Sequence, residues 1–315
     1  MRLSRLLYAI GIILFAYIVY STGPEKILGS LARLNPLLFL LVLAFNAPLI
    51  ALKALKQNIL MRAFGAKIPL FESAKIWLIG YFLSIITPGR SGDFLRSVYL
   101  SKQTGVPAGK CLTAVVAERI LDLCCLFVLG IAGLAILSAR FSIQQSALLT
   151  LAALFAAFCA GMPLLANKKA AAFIAKPLLA LAPEGWRKKL RAGFHGFYEG
   201  LREYGKNKRA LLYASVLTAI NWSVSIFQYY LLAVALGLSL SPAFLIIAMP
   251  VVLLAEALPI SISGIGTRDA AVIFLFSFGG VQAADAVSFS VALLSTNFAV
   301  AFFGLLAARQ KKVRI

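Results

Sequence analysis

The sequence predicts an all-α polytopic membrane protein with about six spanning helices and two broken or re-entrant helical hairpins that form an inverted repeat. Hydrophobic residues make up 61% of the chain, and its mean hydropathy is +0.91. Several apolar runs are long enough to cross a bilayer as helices. Two further apolar segments are interrupted by proline, glycine and charged residues. The alternation of short strands that is typical of membrane β-barrels is absent.

The apolar runs predict the elements in chain order. These elements are helix 1 (5–20), helix 2 (36–56), an interrupted segment (70–103), helix 3 (108–138), helix 4 (144–166), a polar stretch (167–208), helix 5 (209–236), a second interrupted segment (242–279) and helix 6 (283–307). We treat the chain as one transmembrane domain, 1–315. Its parts are an N-terminal helix and loop (1–35), repeat 1 (36–138, elbow 86–96), helix 4 with a basic loop (139–208), repeat 2 (209–307, elbow 257–269) and a basic tail (308–315).

The formal net charge is +20, and the distribution of the basic residues along the chain indicates the membrane topology. Nucleic acid is a common partner of basic proteins, but these charges lie between apolar runs, so we expect no nucleic-acid partner. Lysine and arginine are enriched in cytoplasmic loops, and they concentrate near the N-terminus, in 167–209 and in the tail; Lys53 and Lys56 fit the cytoplasmic end of helix 2. We therefore predict a multi-pass protein of the cell (inner, cytoplasmic) membrane with both termini in the cytoplasm.

The basic segment 183–209 has apolar residues at helical spacing among its lysines and arginines. These are Trp186, Leu190, Phe194, Phe197 and Leu201. The spacing predicts an interfacial amphipathic helix. The alternative is an ordinary solvated cytoplasmic loop.

The two interruptions share a pattern. ITPGRSGDFLR (86–96) and ALPISISGIGTRDAA (257–271) each contain a proline, then Ser-Gly, then an arginine four residues after the glycine. These arginines are Arg96 and Arg268. Each elbow lies between a long helix before it and a long helix after it, and the two units begin on opposite sides of the predicted membrane. Inverted repeats of this kind are typical of transporters, whose sites form at discontinuous helices near the midplane.

The broken helices predict an anion-binding site. A half-helix that starts at the break directs its positive dipole end and free N–H groups toward the break, and serine hydroxyls and arginine add donors suited to phosphate. The elbow residues predicted to contact a headgroup are Arg90, Ser91, Gly92, Arg96, Ser261, Ser263, Gly264, Arg268 and Asp269. The alternative is that each arginine caps carbonyls or pairs with Asp93 or Asp269.

Helix 3 carries charges at a depth of roughly 12–18 Å from Lys110, at 1.5 Å per residue. They are Glu118, Arg119 and Asp122, and Glu256 precedes the second elbow. Charges inside the hydrocarbon usually mark pathways or pairs. We predict that Arg119 helps to neutralise a headgroup and that the acids accept a proton or hold an elbow arginine. A structural ion network that braces the elbows is the alternative.

Other polar residues predict packing rather than chemistry. Four amides and aromatics on helices 5 and 6 are expected to make interhelical hydrogen bonds: Asn221, Trp222, Gln228 and Asn297. Four cysteines lie in apolar runs without metal-ligand spacing, and the one histidine has no catalytic partner set: Cys111, Cys124, Cys125, Cys159 and His195. We predict no catalytic residue, metal site or cofactor, and no enzyme activity.

At ITPGRSGDFLR, VVAERILDL and ALPISISGIGTRDAA the sequence resembles the flippase-like transmembrane family typified by the membrane region of lysylphosphatidylglycerol synthase. Family members often have glutamate where this chain has Asp269. The resemblance implies a protein that translocates or handles lipid. In the synthase a separate soluble domain performs aminoacyl transfer, so the resemblance implies that this chain, which stops at residue 315, lacks that activity.

The leading prediction is a transporter or flippase for a lipid with an anionic or zwitterionic headgroup, held between the two elbow arginines near the midplane. The expected partners are membrane lipids, either phospholipids or polyprenyl (isoprenoid) lipids, and the sequence leaves open a homo-oligomer. The alternative is a non-transporting accessory or scaffold protein that assists a lipid- or envelope-modifying enzyme.

Overall fold

A computed structural model describes residues 2–141, 145–168, 172, 184–258, 261 and 263–310. The regular elements over these residues are helical. In chain order they are α1 (Arg2–Thr22), α2 (Pro24–Ala32), α3 (Pro36–Ala44), α4 (Asn46–Arg62), α5 (Leu70–Ile85), a 3₁₀ helix (Pro88–Leu95), α6 (Arg96–Thr104), α7 (Ala108–Phe141), α8 (Gln145–Ala166), α9 (Glu184–Lys206), α10 (Lys208–Ala235), α11 (Pro242–Ala257), α12 (Thr267–Ser277) and α13 (Ala283–Gln310).

Four helices within the described residues are long and apolar enough to cross a membrane. They are Pro36–Arg62 (α3 with α4), Ala108–Arg140 (α7), Lys208–Ala235 (α10) and Ala283–Gln310 (α13). They coincide with predicted helices 2, 3, 5 and 6. Shorter apolar helices lie at Gly11–Thr22, Leu148–Leu164 and Pro242–Ala257. The predicted all-α polytopic class is confirmed.

Both interrupted segments are two helices separated by a break. α5 ends at Ile85 and α6 begins at Arg96, with the 3₁₀ helix between them, while α11 ends at Ala257 and α12 begins at Thr267. The order of long helix, short helix, break, short helix and long helix therefore occurs twice, as α4–α7 and as α10–α13. The opposite orientation of the two units in the membrane stays a prediction.

The helix that spans 36–62 is interrupted at Phe45, between α3 and α4. Pro48 has no N–H to donate to the carbonyl of Ala44, four residues earlier, and one helical turn before the start of α4 lies the Val42 carbonyl. Gln228 on α10 donates to that carbonyl at 2.8 Å and to the side chain of Asn46 at 3.1 Å. Gln228 thus makes the interhelical hydrogen bond that the sequence predicted.

The buried apolar core has two main clusters. The larger joins α7, α10, α11, α12 and α13 around Leu232, Met249 and Phe276. The smaller joins α4, α5, α6, α7, α9 and α10 around Leu60 and Ile76. Because α7 and α10 contribute to both clusters, they connect the two halves and carry the walls of the cavity described below.

The basic segment forms a helix, α9, which packs against α7. Phe197 is buried at this contact, whereas the side chains of Trp186 and Leu190 lie outside the described ones. Lys110 on α7 pairs with Glu203 at 2.7 Å, and the Tyr204 hydroxyl donates to the Leu60 carbonyl at 3.0 Å. Burial raises the pKa of the Tyr204 hydroxyl well above its ordinary value. The location of α9 at the membrane interface stays a prediction.

The crossing of α7 and α11 depends on Gly133, where an added Cβ would collide with the backbone of Ile247. We expect Gly133→Ala to lower the free energy of unfolding by about 1–3 kcal/mol, because backbone atoms must shift to admit the methyl group. Gly161→Ala is the matched control, since no heavy atom lies within 4 Å of its added Cβ. Alanine's better helix propensity should leave that variant unchanged or slightly stabilised. Equal melting temperatures for both variants in one detergent would contradict this role for Gly133.

Candidate functional site

A cavity of about 310 Å³ lies between the two elbow-containing halves. Its wall combines an apolar surface with polar and charged side chains from both halves. The residues that line it are Asn46, Leu49, Ile50, Lys53, Trp77, Tyr81, Phe94, Glu118, Arg119, Asp122, Leu123, Leu126, Asn221, Trp222, Ser225, Gln228, Tyr229, Leu253, Glu256, Ala257, Leu293, Thr296, Asn297 and Val300. Such a mixture is typical of ligand sites, in which a few polar groups set orientation.

The first elbow is tied to α7 by ion pairs. Arg96 is fully buried and donates through Nη2 to Glu118 Oε2 at 2.8 Å, while its Nε lies 3.6 Å from Asp93 Oδ1. Asp93 also accepts a hydrogen bond from Arg119 Nε at 2.7 Å. The elbow arginine therefore braces the broken segment against α7.

Two lysines of α4 complete the network. Lys53 Nζ lies 2.8 Å from Asp122 Oδ2, and Lys56 Nζ lies 2.7 Å from Asp122 Oδ1. Lys56 also donates to the Thr218 hydroxyl at 3.2 Å and lies 3.8 Å from Glu118. Both lysines pair with the Asp122 carboxylate inside the protein, and the cytoplasmic location of this end of helix 2 stays a prediction.

Within the described residues the ion pairs of this network join more cations than carboxylates, and Glu256 adds a further carboxylate to the cavity wall. Four cations, Lys53, Lys56, Arg96 and Arg119, face three carboxylates, Asp93, Glu118 and Asp122. Lys53 and Arg119 line the cavity, and the side chain of Arg119 is 30% exposed. The positive groups that remain accessible thus lie on the cavity wall.

The second elbow is fixed to α13. Arg268 is fully buried and donates to the Ser290 hydroxyl at 2.9 Å and to the Ser290 carbonyl at 3.1 Å; its Nη2 lies 3.3 Å from Asp269 Oδ1. Asp269 accepts the Gly266 N–H at 2.7 Å and also the Ser290 hydroxyl. Pro259, which the sequence pattern singled out, lies outside the described residues.

Neither elbow arginine lines the cavity. Arg96 and Arg268 are each 0% exposed and lie close to Asp93 and Asp269 respectively, which is the arrangement that the sequence analysis gave as the alternative to headgroup contact. The physical reason is that a guanidinium buried in the protein must meet carboxylates or carbonyls. A direct contact between these two arginines and a headgroup stays a prediction that this arrangement does not favour.

The elbow serines differ in their surroundings. Ser263 donates to the carbonyl of Ile85 at 3.1 Å, so the second elbow touches the start of the first. Ser261 shares a hydrogen bond of 2.9 Å with Thr267. Ser91 is exposed but does not line the cavity, and the side chain of Arg90 lies outside the described ones.

The two elbow glycines serve close packing. A Cβ on Gly92 would collide with the backbone of Leu83, and the Gly92 N–H donates to the Thr87 hydroxyl at 2.7 Å. Gly264 has φ +75°, which glycine adopts readily, and a Cβ there would meet the side chain of Glu256. Close packing therefore accounts for glycine at both positions, and contact with a ligand is not needed to explain it.

Of the residues predicted for the site, Glu118, Arg119, Asp122 and Glu256 line the cavity. The first three stand on α7, where successive turns present Glu118 and Asp122 on one face. Glu256 comes from α11, so the cavity joins charged groups from both halves.

Two buried side-chain atoms, on residues that line the cavity, have no hydrogen-bond partner among the described residues. They are Asn221 Oδ1 and Trp222 Nε1 on α10. A buried polar atom left without a partner costs about 1–3 kcal/mol. The expectation that both side chains bridge helices is not met for these atoms, whereas Asn297 does bridge, accepting from Tyr81 at 3.0 Å. Because each atom has almost no accessible surface, the two side chains would have to turn toward the cavity for a ligand to bond to them.

Among the described residues no group of three or more histidine, cysteine, aspartate or glutamate side chains could hold a metal ion. The cysteines of α7 and α8 are free thiols. The residues that line the cavity offer charges and hydrogen-bonding groups.

Comparison with known proteins gives one family match. The family model described as the lysylphosphatidylglycerol synthase TM region matches residues 5–304. A UPF0104 membrane protein of Methanothermobacter thermautotrophicus is 24% identical over 294 residues, covering 89% of this chain and 86% of the relative. One of Methanocaldococcus jannaschii is 25% identical over 302 residues, covering 92% and 89%. No solved structure shows a significant match.

Proposed function

The chain belongs to the family of the lysylphosphatidylglycerol synthase transmembrane region, and from this premise we propose that it binds and translocates a membrane lipid with an anionic or zwitterionic headgroup. The chain is a multi-pass membrane protein, and we propose that its substrate enters the cavity from the bilayer. We propose no enzymatic step, and we place both termini in the cytoplasm on the basis of their lysines and arginines.

The observation that carries the proposal is the cavity wall. It combines the cations Lys53 and Arg119 with the polar residues Asn221 and Trp222, whose Oδ1 and Nε1 atoms have no partner in the part of the chain that the structure describes. Phosphate oxygens accept charge-assisted hydrogen bonds from lysine and arginine and could also accept the indole N–H. A hydroxyl or ammonium of the headgroup could donate to Asn221. A lipid phosphate with a polar substituent fits this set.

The depth of the cavity suits a lipid that is changing leaflets. Asn221 lies 13 residues beyond Lys208, the first residue of α10, which is about 20 Å along a helix. α10 ends 14 residues further, at Ala235, so Asn221 lies near the middle of a helix about 40 Å long, close to the thickness of a bilayer with its headgroup regions. We therefore place the headgroup site near mid-depth, where a polar group needs protein partners instead of water.

The two elbows supply the parts that can move. Each is anchored to a long helix of its own half, Arg96 to α7 and Arg268 to α13, and Ser263 connects one elbow to the other. We propose that small movements of one half against the other expose the cavity to each leaflet in turn, as in other proteins with discontinuous helices.

Lipid scrambling in proteoliposomes tests the proposal. Purified protein is reconstituted with headgroup- or chain-labelled phospholipids of anionic, zwitterionic and cationic type and with a labelled polyprenyl phosphate, and a membrane-impermeant quencher reports the movement of each probe. We expect faster movement of a phosphate-bearing probe than in protein-free vesicles.

No acceleration for any probe, from protein that circular dichroism shows to be folded, would contradict transport. The accessory alternative would then gain support, with the basic helix α9 as its lipid contact. Neutralising the exposed bases Arg191, Arg202 and Lys206 of α9 separates the two functions. A scaffold would lose binding to anionic vesicles, whereas a transporter would keep its scrambling rate.

A further inference from the structure

A second cavity of about 390 Å³ lies on the outer side of α10, between α7 and α11. We call it the lateral groove. Its lining is mainly apolar and includes Cys125, Leu129, Ile226, Tyr230 and Pro242. Phe227 and Ile246, which also line it, are each 48% exposed, so the groove is accessible from the bilayer.

The lateral groove and the central cavity share one wall residue, Trp222. On the central side Lys53 Nζ lies 5.7 Å from the centre of the indole ring. On the lateral side the groove continues along α10 from Ala219 to Tyr230. The 11 helical steps between these two residues correspond to a length of about 16 Å. The polar central cavity and the elongated apolar lateral groove thus lie on either side of the Trp222 side chain.

We propose that the lateral groove binds a hydrocarbon chain of the same lipid whose headgroup occupies the central cavity, with Trp222 at the boundary between headgroup and chain. This inference rests on the proposed function. A lipid is the ligand that has a phosphate beside an apolar chain, and tryptophan commonly lies where such polar and apolar regions meet. The unpartnered indole N–H can bond to the headgroup or its ester while the ring faces the chain.

The direction of the groove identifies the leaflet that the chain reaches. Along α10 the groove leads from Ala219 away from Lys208 and toward the first residues of α11. With Lys208 at the cytoplasmic end, the chain lies in the opposite, outer half of the bilayer. On this predicted topology, the groove lies in the outer half of the bilayer.

The test uses photo-cross-linking with a phospholipid that carries a diazirine in its acyl chain, in nanodiscs, with labelled peptides identified by mass spectrometry. Ser223→Phe fills the groove. Ser215→Phe is its matched control, because both serines are exposed on α10 and donate to the carbonyl four residues earlier, at 3.0 and 2.9 Å, but only Ser223 lines the groove. We expect Ser223→Phe to reduce labelling of the Cys125–Leu129 segment by about tenfold, and Ser215→Phe to leave it unchanged.

A second comparison asks whether the chain in the groove belongs to the lipid in the cavity. Lys53→Gln and Asn221→Leu change only the central wall, and we expect both to reduce labelling of the Cys125–Leu129 segment. Labelling that stays at the wild-type level in both variants would show ordinary bilayer lipid in the groove and overturn the inference. Equal labelling in Ser223→Phe and wild type would overturn it as well. Because labelling reports binding alone, protein that labels as expected but does not scramble lipid would contradict the transport proposal only.

Discussion

Asp122→Ala is expected to destabilise the protein so strongly that most of the folded protein is lost. Asp122 accepts from two lysines of α4, Lys53 at 2.8 Å and Lys56 at 2.7 Å, and Lys56 is 1% exposed. Removing the carboxylate leaves Lys56 buried with a remaining carboxylate, Glu118, only at 3.8 Å. Breaking a buried ion pair from one side costs about 3–5 kcal/mol, because the remaining charge stays out of water without compensation.

The yield of monodisperse protein and its melting temperature in detergent measure this loss. Arg33→Ala is the control, because it removes an ion pair with Asp285 in which the arginine side chain is 63% exposed. Exposed pairs contribute about 0–1 kcal/mol, so the control should melt close to wild type. An Asp122→Ala protein that melts with the control would show that the network of α4 and α7 does not hold the two helices together.

Lys53→Gln is expected to reduce lipid transport by about 10- to 100-fold while the fold persists. The lysine lines the cavity, and its loss removes a charge-assisted hydrogen bond to the headgroup, worth about 1.5–3 kcal/mol. Folding should survive because Lys56 keeps its contact with Asp122 at 2.7 Å. The scrambling rate in proteoliposomes, normalised to reconstituted protein, measures the effect.

Lys75→Gln is the matched control for this prediction. Lys75 also pairs with a carboxylate, Glu72 at 3.3 Å, but it is not on the cavity wall. Its rate should equal that of wild type. A Lys53→Gln protein that scrambles as fast as the Lys75→Gln control would remove Lys53 from the transport path.

The helices were predictable from sequence because their signal is local. Runs of apolar residues gave the positions of α7, α10 and α13 within a few residues, and proline with glycine gave both breaks. Orientation in the membrane depends on which side each basic segment faces, which no contact within the chain reports. The inverted repeat and the cytoplasmic termini are therefore still predictions.

The site was predictable only in part, because pairing is a tertiary property. Glu118, Arg119 and Asp122 stood out as charges inside an apolar run, and all three line the cavity. Lys53 and Lys56 looked like membrane-end charges, since their partner Asp122 is 69 and 66 residues away in sequence. The available signal was their spacing of three residues, about one helical turn, which places both lysines on the same face of the helix.

For the elbow arginines, the sequence indicated their position in the fold but not their partners. A repeated Ser-Gly-x-x-x-Arg pattern marks both breaks correctly, but the pattern is the same whether the arginine faces a ligand or the protein. In the structure Arg96 donates a hydrogen bond to Glu118, and Arg268 donates one to Ser290. Asn221 and Trp222 were equally ambiguous, because an unpartnered atom is recognised only once its neighbours are known.

The central claim is that the cavity between the two halves holds a phospholipid headgroup, and native mass spectrometry of lipid bound to the purified protein tests it most directly. Ser225 lies on the cavity wall and is buried, so Ser225→Phe fills the cavity, whereas Ser215→Phe adds the same ring to the exposed surface of α10. We predict bound phospholipid on wild type and on Ser215→Phe, and its loss from Ser225→Phe. Equal retention of phospholipid by all three proteins would contradict the claim.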